Sequence, residues 1–242
     1  MRLVAIAAIL LGGFALLKAD VTLAFIGDSI VNGSTDYEPI PPSGDTNFSI
    51  GHWVNLLSTN LIGVGGIGWT NHGVGSRTFA LMVSNGDYLD ALTSKPQYLV
   101  IHCGVNDVNL SVSWNTLVGH LNTIAQAAKN SNATVVVDEI FPWSNGTDAQ
   151  NITVRSYNTN FSTWVQTNAN AGKLLRTHDA MGQTRVSTGQ LDDLLANYDK
   201  DGVHLTTNGY RNWGALIMTN YFDWIRPPSR GPRIRGLRLT AQ

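Results

Sequence analysis

The 242-residue chain is 43% apolar and 14% charged, with a formal net charge of −1. That length suits one generous domain, which buries enough surface to need neither disulfides nor a structural metal. Arg226, Arg230, Arg233, Arg235 and Arg238 crowd the last seventeen residues; without them eleven basic residues face seventeen acidic ones, so the body has no electrostatic reason to bind nucleic acid.

In chain order, Arg2 precedes Leu3–Leu17, fifteen residues without a charge, and Lys18-Ala19 follow. An apolar run of that length matches the core of a signal peptide and is short for a membrane span. Leu17 stands where cleavage after Ala19 favours a small residue, so a retained N-terminal anchor is the alternative. Residues 1–19 therefore predict an exported protein, secreted or held outside the cytoplasm, with no other membrane span. Sequons at Asn32, Asn47, Asn109, Asn132, Asn145, Asn151 and Asn160 are compatible with export.

Three β-rich apolar runs, Val21–Ile26, Tyr98–Cys103 and Ala133–Ile140, are short and nearly continuous, as in strands buried on both faces of a parallel sheet. Helical patterns cover Gly51–Leu61, Thr78–Leu92, Trp114–Lys129, Asp148–Ala171 and Thr206–Ile225. This alternation predicts an α/β fold: one three-layer α/β/α domain over residues 20–225, with a mainly parallel sheet of about five strands. The stretch from Asn32 to Ile50, with Pro39, Pro41 and Pro42, reads as a long loop after the first strand. Residues 226–242 read as a basic tail outside the fold.

Ligands of open parallel sheets bind beyond the carboxyl ends of the strands. The first run ends Gly27-Asp28-Ser29, which places a serine for attack at a strand end, although Gly-Asp-Ser also makes ordinary turns and helix caps. The second ends Cys103-Gly104-Val105-Asn106-Asp107, where the Asn106 amide is placed to donate to an oxyanion or to form a turn. Near the C-terminus, Asp201-Gly202-Val203-His204 lets a carboxylate accept from one imidazole nitrogen while the other faces a serine.

Other features carry less. Cys103, the only cysteine, reads as a buried small hydrophobe. The histidines at 52, 72, 102, 120, 178 and 204 lack metal-ligand spacing, so no metal and no organic cofactor is expected. Gly63-Val64-Gly65-Gly66-Ile67-Gly68 matches the letters of a dinucleotide fingerprint but opens no helix. No Gly-x-Ser-x-Gly elbow is present, which counts against the ordinary α/β-hydrolase fold.

Together, Gly27-Asp28-Ser29, Gly104-x-Asn106-Asp107 and Asp201-Gly202-Val203-His204, in this order on an α/β chain, resemble the SGNH hydrolases, also called the GDSL family of esterases and lipases. The resemblance runs from about Val21 to Trp224. It implies a flavodoxin-like sheet and a serine esterase in which Ser29 attacks, His204 is the base and Asp201 orients it. It further implies an oxyanion hole formed by the Ser29 N–H, the Asn106 amide and a glycine N–H from an Asn-x-Gly-x-x-Gly block. Here that block reads Asn71-His72-Gly73-Val74-Gly75-Ser76, so Gly75 and Ser76 both qualify for the third donor. Asp28, His72 and Trp143 are the candidate substrate contacts, Trp143 as a platform for sugar stacking. Expected substrates are small-molecule or glycan esters, with acetyl esters of carbohydrates first, short-chain lipids or lysophospholipids second, and a non-catalytic glycan-binding relative as the remaining alternative.

Overall fold

The computed structural model describes residues 22–33, 68–168, 170 and 172–225. The candidate leader 1–19, most of the loop Asn32–Ile50, the helical pattern Gly51–Leu61 and the basic tail lie outside the described residues.

Five parallel strands form the sheet: β1 (Thr22–Gly27), β2 (Gly68–Gly73), β3 (Tyr98–His102), β4 (Thr134–Asp138) and β5 (Lys173–Leu175), in the order β2-β1-β3-β4-β5. Register pairs Phe25 with Val100 and Val100 with Val136. The three inner strands are the three apolar runs, and their side chains are almost completely buried because helices flank the sheet. β2 lies at an edge and is only half-buried, which accounts for its polar sequence Gly-Trp-Thr-Asn-His-Gly. A short antiparallel hairpin, β6 (Gly182–Gln183) with β7 (Asp193–Leu194), follows the sheet.

Helix boundaries follow local capping chemistry. The predicted helix Thr78–Leu92 is two helices, Phe79–Asn85 and Asp87–Thr93. They part at Gly86, whose φ of 77° closes the first with a left-handed cap that glycine adopts without strain. Ser113 caps the helix Trp114–Asn130 through the Thr116 N–H. Thr147 and Gln150 form a reciprocal capping box on Asp148–Thr167, which ends before the predicted Ala171. The last helix, Thr207–Ile225, begins directly after the His204 segment.

The core contains an aromatic cluster, with Phe161 at 6.1 Å from Phe79 and 5.4 Å from Trp114 between ring centroids. It also contains a polar knot beneath the carboxyl ends of β3 and β4. Asp138 accepts from Trp213 Nε1 (2.6 Å) and Thr177 Oγ1 (2.6 Å) and pairs with His102 Nδ1 (3.2 Å). Burial pushes the Asp138 carboxyl pKa up, and these bonds, His102 foremost, oppose the shift. The His102 ring packs between Phe141 and Trp213. Trp213 thereby fastens the last helix to the sheet.

Candidate active site

Ser29 opens the short helix Ser29–Asn32 directly beyond β1. Gly27, the last residue of β1, approaches the His102 carbonyl so closely that a Cβ would overlap it; only glycine lets β1 and β3 meet there. Asp28 then caps the helix, its Oδ1 accepting the Ile30 N–H at 2.9 Å. Ser29 is thus half-buried at the end of an inner strand, and its N–H occupies the first turn, where no intrahelical acceptor exists.

The Ser29 Oγ is 2.9 Å from His204 Nε2, and His204 Nδ1 is 2.7 Å from Asp201 Oδ2. The other oxygen of Asp201 accepts the backbone N–H groups of His204 (2.9 Å) and Val203 (3.1 Å). Partial burial alone would raise the Asp201 pKa. The bonds from the His204 backbone and ring and from Val203 outweigh it, so the carboxyl stays below its ordinary range and ionised. A bridge between Asp199 and Leu205 closes the loop that carries this pair.

A second loop reaches the same place from β2. Val74 N–H donates to the Gly27 carbonyl (3.0 Å) and Arg77 N–H to the Val74 carbonyl (3.4 Å), which makes Gly75 and Ser76 the centre of a turn. Ser76 takes the left-handed conformation, φ 61°. Neither the Gly75 nor the Ser76 N–H has a hydrogen-bond partner among the described residues, and both residues are exposed. Asn71 holds the turn against the Ser29 helix: its Nδ2 donates to the Val31 carbonyl and its Oδ1 accepts the Gly73 N–H, each at 2.8 Å.

Asn106 joins this loop to the end of β3, its Nδ2 donating to the Arg77 carbonyl at 2.9 Å. An amide nitrogen carries two hydrogens, so this bond orients the group and leaves one donor. Next to it, buried Asp107 accepts the Phe79 N–H through both oxygens (3.2 and 3.3 Å), and burial lifts its pKa to about 7. The Ser29 helix, the Gly75–Ser76 turn and Asn106 are therefore linked to one another by backbone-directed bonds.

Comparison with known proteins decides the family. A model of the GDSL-like lipase/acylhydrolase family matches residues 25–211. The chain belongs to that family. Among solved structures, a catalytic mutant of the acetylxylan esterase Axe2 from Geobacillus stearothermophilus superposes with a TM-score of 0.63 at 19% identity, covering 87% of this chain and 100% of that one. A GDSL-like lipase from Bacteroides thetaiotaomicron gives a TM-score of 0.59 at 21% identity, covering 86% and 90% of the two chains. These likenesses establish the shared fold. No curated protein sequence matches the chain.

The candidate substrate contacts of this GDSL-family hydrolase need correction. Asp28 is 0% exposed, so it caps the Ser29 helix and cannot touch a ligand; its Oδ2 lacks a partner among the described residues, and burial raises its pKa. His72 alternates with Asn71 and Gly73 along β2, so it faces away from the Ser29 helix that those two contact. Burial lowers its pKa, against Asp90 and Asp87 on the helix beyond. Trp143 is 9% exposed and packs on Gly146, which leaves no open ring face for a sugar.

Asn145, Arg185 and Tyr210 belong to none of the sequence blocks that mark the site, although Asn145 lies in a sequon. Only contact across many residues of chain reveals them. His102 and His178 are both buried with Nδ1 engaged, His102 on Asp138 and His178 on the Ile140 carbonyl at 2.8 Å. Among the described residues no cluster of His, Cys, Asp and Glu could hold a metal, and no helix is long and apolar enough to cross a membrane.

Proposed function

We propose that this GDSL-family hydrolase is a serine esterase acting through an acyl-enzyme on Ser29, with short-chain or acetyl esters of carbohydrates as substrates. The observation that carries the mechanism is the unbroken chain Ser29 Oγ–His204 Nε2 (2.9 Å) and His204 Nδ1–Asp201 Oδ2 (2.7 Å). His204 takes the proton as Ser29 attacks the ester carbonyl, and Asp201 fixes the tautomer and balances the imidazolium charge. The tetrahedral oxyanion receives hydrogen bonds from the Ser29 N–H, the free amide hydrogen of Asn106 and the N–H of Gly75 or Ser76. Each such donor contributes roughly 3–4 kcal/mol to barrier lowering. His204 then returns its proton to the leaving alcohol, and water activated by the same base releases the acid.

Two observations support the acyl and alcohol preference. The chain shares its fold with an acetylxylan esterase, and the sequence from residue 51 onward contains no long apolar insertion to form a lid or acyl tunnel. Turnover of p-nitrophenyl acetate, followed by a panel of acyl lengths and acetylated oligosaccharides, tests this reading. Preference for decanoyl esters would favour the lipase alternative, and absence of any turnover would favour a glycan-binding relative. The apolar stretch Leu3–Leu17 supports export of this enzyme, which N-terminal sequencing of the extracytoplasmic protein checks.

A further inference from the structure

Asp201 lies on the loop between β7 and the last helix. Asp201 is 45% exposed at its side chain, where water competes for the hydrogen bond that it makes to His204. Yet displacement of a reacting group by about 1 Å costs on the order of 100-fold in rate. Something outside the loop must fix it.

Asn145, on the turn after β4, grips the loop at two consecutive carbonyls. Its backbone N–H donates to the Gly202 carbonyl at 3.2 Å, and its side-chain amide donates to the Asp201 carbonyl. The dipeptide so held begins with the carboxylate that orients His204. Gly202 takes φ 89°, and a Cβ there would overlap the Asn145 side chain, so the two segments lie in direct contact. From within the loop, Asp199 Oδ1 accepts the Gly202 N–H at 2.5 Å.

Asn145 is in turn held by a partly buried cation. The Arg185 guanidinium, just past β6, donates to the carbonyls of Trp143 (2.9 Å), Ser144 (2.6 Å) and Gly146 (2.6 Å), on both sides of Asn145. Asp193 at 2.7 Å and Asp148 at 3.3 Å balance its charge. Asn151 adds a second anchor, exchanging hydrogen bonds with the Trp143 backbone through both its side-chain atoms. A turn with this many fixed carbonyls is a rigid platform.

We propose that Asn145, fixed by Arg185, is a positioning residue that holds Asp201, and through it the His204 imidazole, at reaction distance from Ser29. The inference rests on the reading of His204 as the base. Asn145 touches neither the serine nor the imidazole in any hydrogen bond, so it acts entirely through the Asp201–Gly202 peptide.

A double-mutant cycle tests this, with kcat and KM on p-nitrophenyl acetate and the melting temperature measured for each protein. Asn145→Asp keeps the backbone bond but replaces the side-chain donor with an acceptor facing the Asp201 carbonyl; Asn145→Ala removes the side-chain group altogether. Both are expected to lower kcat roughly tenfold or more at nearly unchanged KM. In a His204→Ala background the same substitutions are expected to cost nothing further, because the group they position is gone. A wild-type kcat in both Asn145 variants would overturn the proposal, as would a loss that persists undiminished in the His204→Ala background or one that tracks a fallen melting temperature. A wild-type rate in His204→Ala alone would instead overturn the esterase mechanism on which the proposal rests.

Discussion

Tyr210 Oη donates to the Ile30 carbonyl at 2.7 Å, across 180 residues of chain. The helix that follows His204 is thereby joined to the helix that begins at Ser29. Ser29 and His204 reside on separate segments, and this bond and the Trp213–Asp138 contact secure the second segment to the sheet. Tyr210→Phe keeps the ring packing and removes the bond. It is expected to cost about 1–2 kcal/mol of stability, read as a lower midpoint in urea unfolding at unchanged slope. A midpoint equal to wild type would show that the two helices are held by apolar contact alone.

Asn106 is expected to serve the transition state more than the fold. Its bond to the Arg77 carbonyl aims the amide, and the free hydrogen strengthens its interaction as charge develops on the substrate oxygen. Asn106→Ala should reduce kcat by roughly 10²–10³ with little change in KM. An intact kcat in a protein with a lowered melting point would assign Asn106 to the turn.

Asp107 is expected to make stability fall as the pH rises. Its folded pKa of about 7 lies above the ordinary 3.8, so between those values the folded state binds more protons than the unfolded one. The protonated carboxyl contributes fully below about pH 4, and its contribution is lost progressively as the pH climbs through 7. The whole shift corresponds to on the order of 4 kcal/mol. Asp107→Asn retains an acceptor for the Phe79 N–H without the charge. Urea titrations from pH 5 to about 8 should show this decline in the wild type and a flatter profile in the variant; parallel profiles would place the ionisation elsewhere.

Activity is expected to fall in acid. Asp201 keeps its carboxyl below the usual range, so it stays charged while the pH falls toward weak acid. As the proposed base, His204 must be neutral to accept the serine proton. A rate that stays flat down to about pH 4 would remove His204 from that role.

Much of this was legible in the sequence where the signal is local. β1, β3 and β4 are buried on both faces, so their apolar runs mark them; β2 lies at the edge and β5 spans three residues, so neither has such a run. Asp201 and His204 are three residues apart, and their pairing follows from that spacing alone. Asn145 meets Asp201 across 56 residues and Arg185 meets Trp143 across 42, and nothing in either neighbourhood marks the meeting. Trp143 misled for a related reason. An aromatic residue after a strand end suits sugar stacking or burial equally well in sequence, and only the packing on Gly146 separates the two. Asp28 likewise borders Ser29 in sequence yet points into the interior as a helix cap.

The central claim is that Ser29 is the nucleophile, and covalent labelling tests it most directly. A fluorophosphonate probe should modify the wild-type protein once, with the adduct found on the peptide containing Ser29 by mass spectrometry. Ser29→Ala should lose both the adduct and the turnover of p-nitrophenyl acetate while melting near the wild-type temperature. Equal labelling of the Ser29→Ala variant, or an adduct on another serine, would contradict the account.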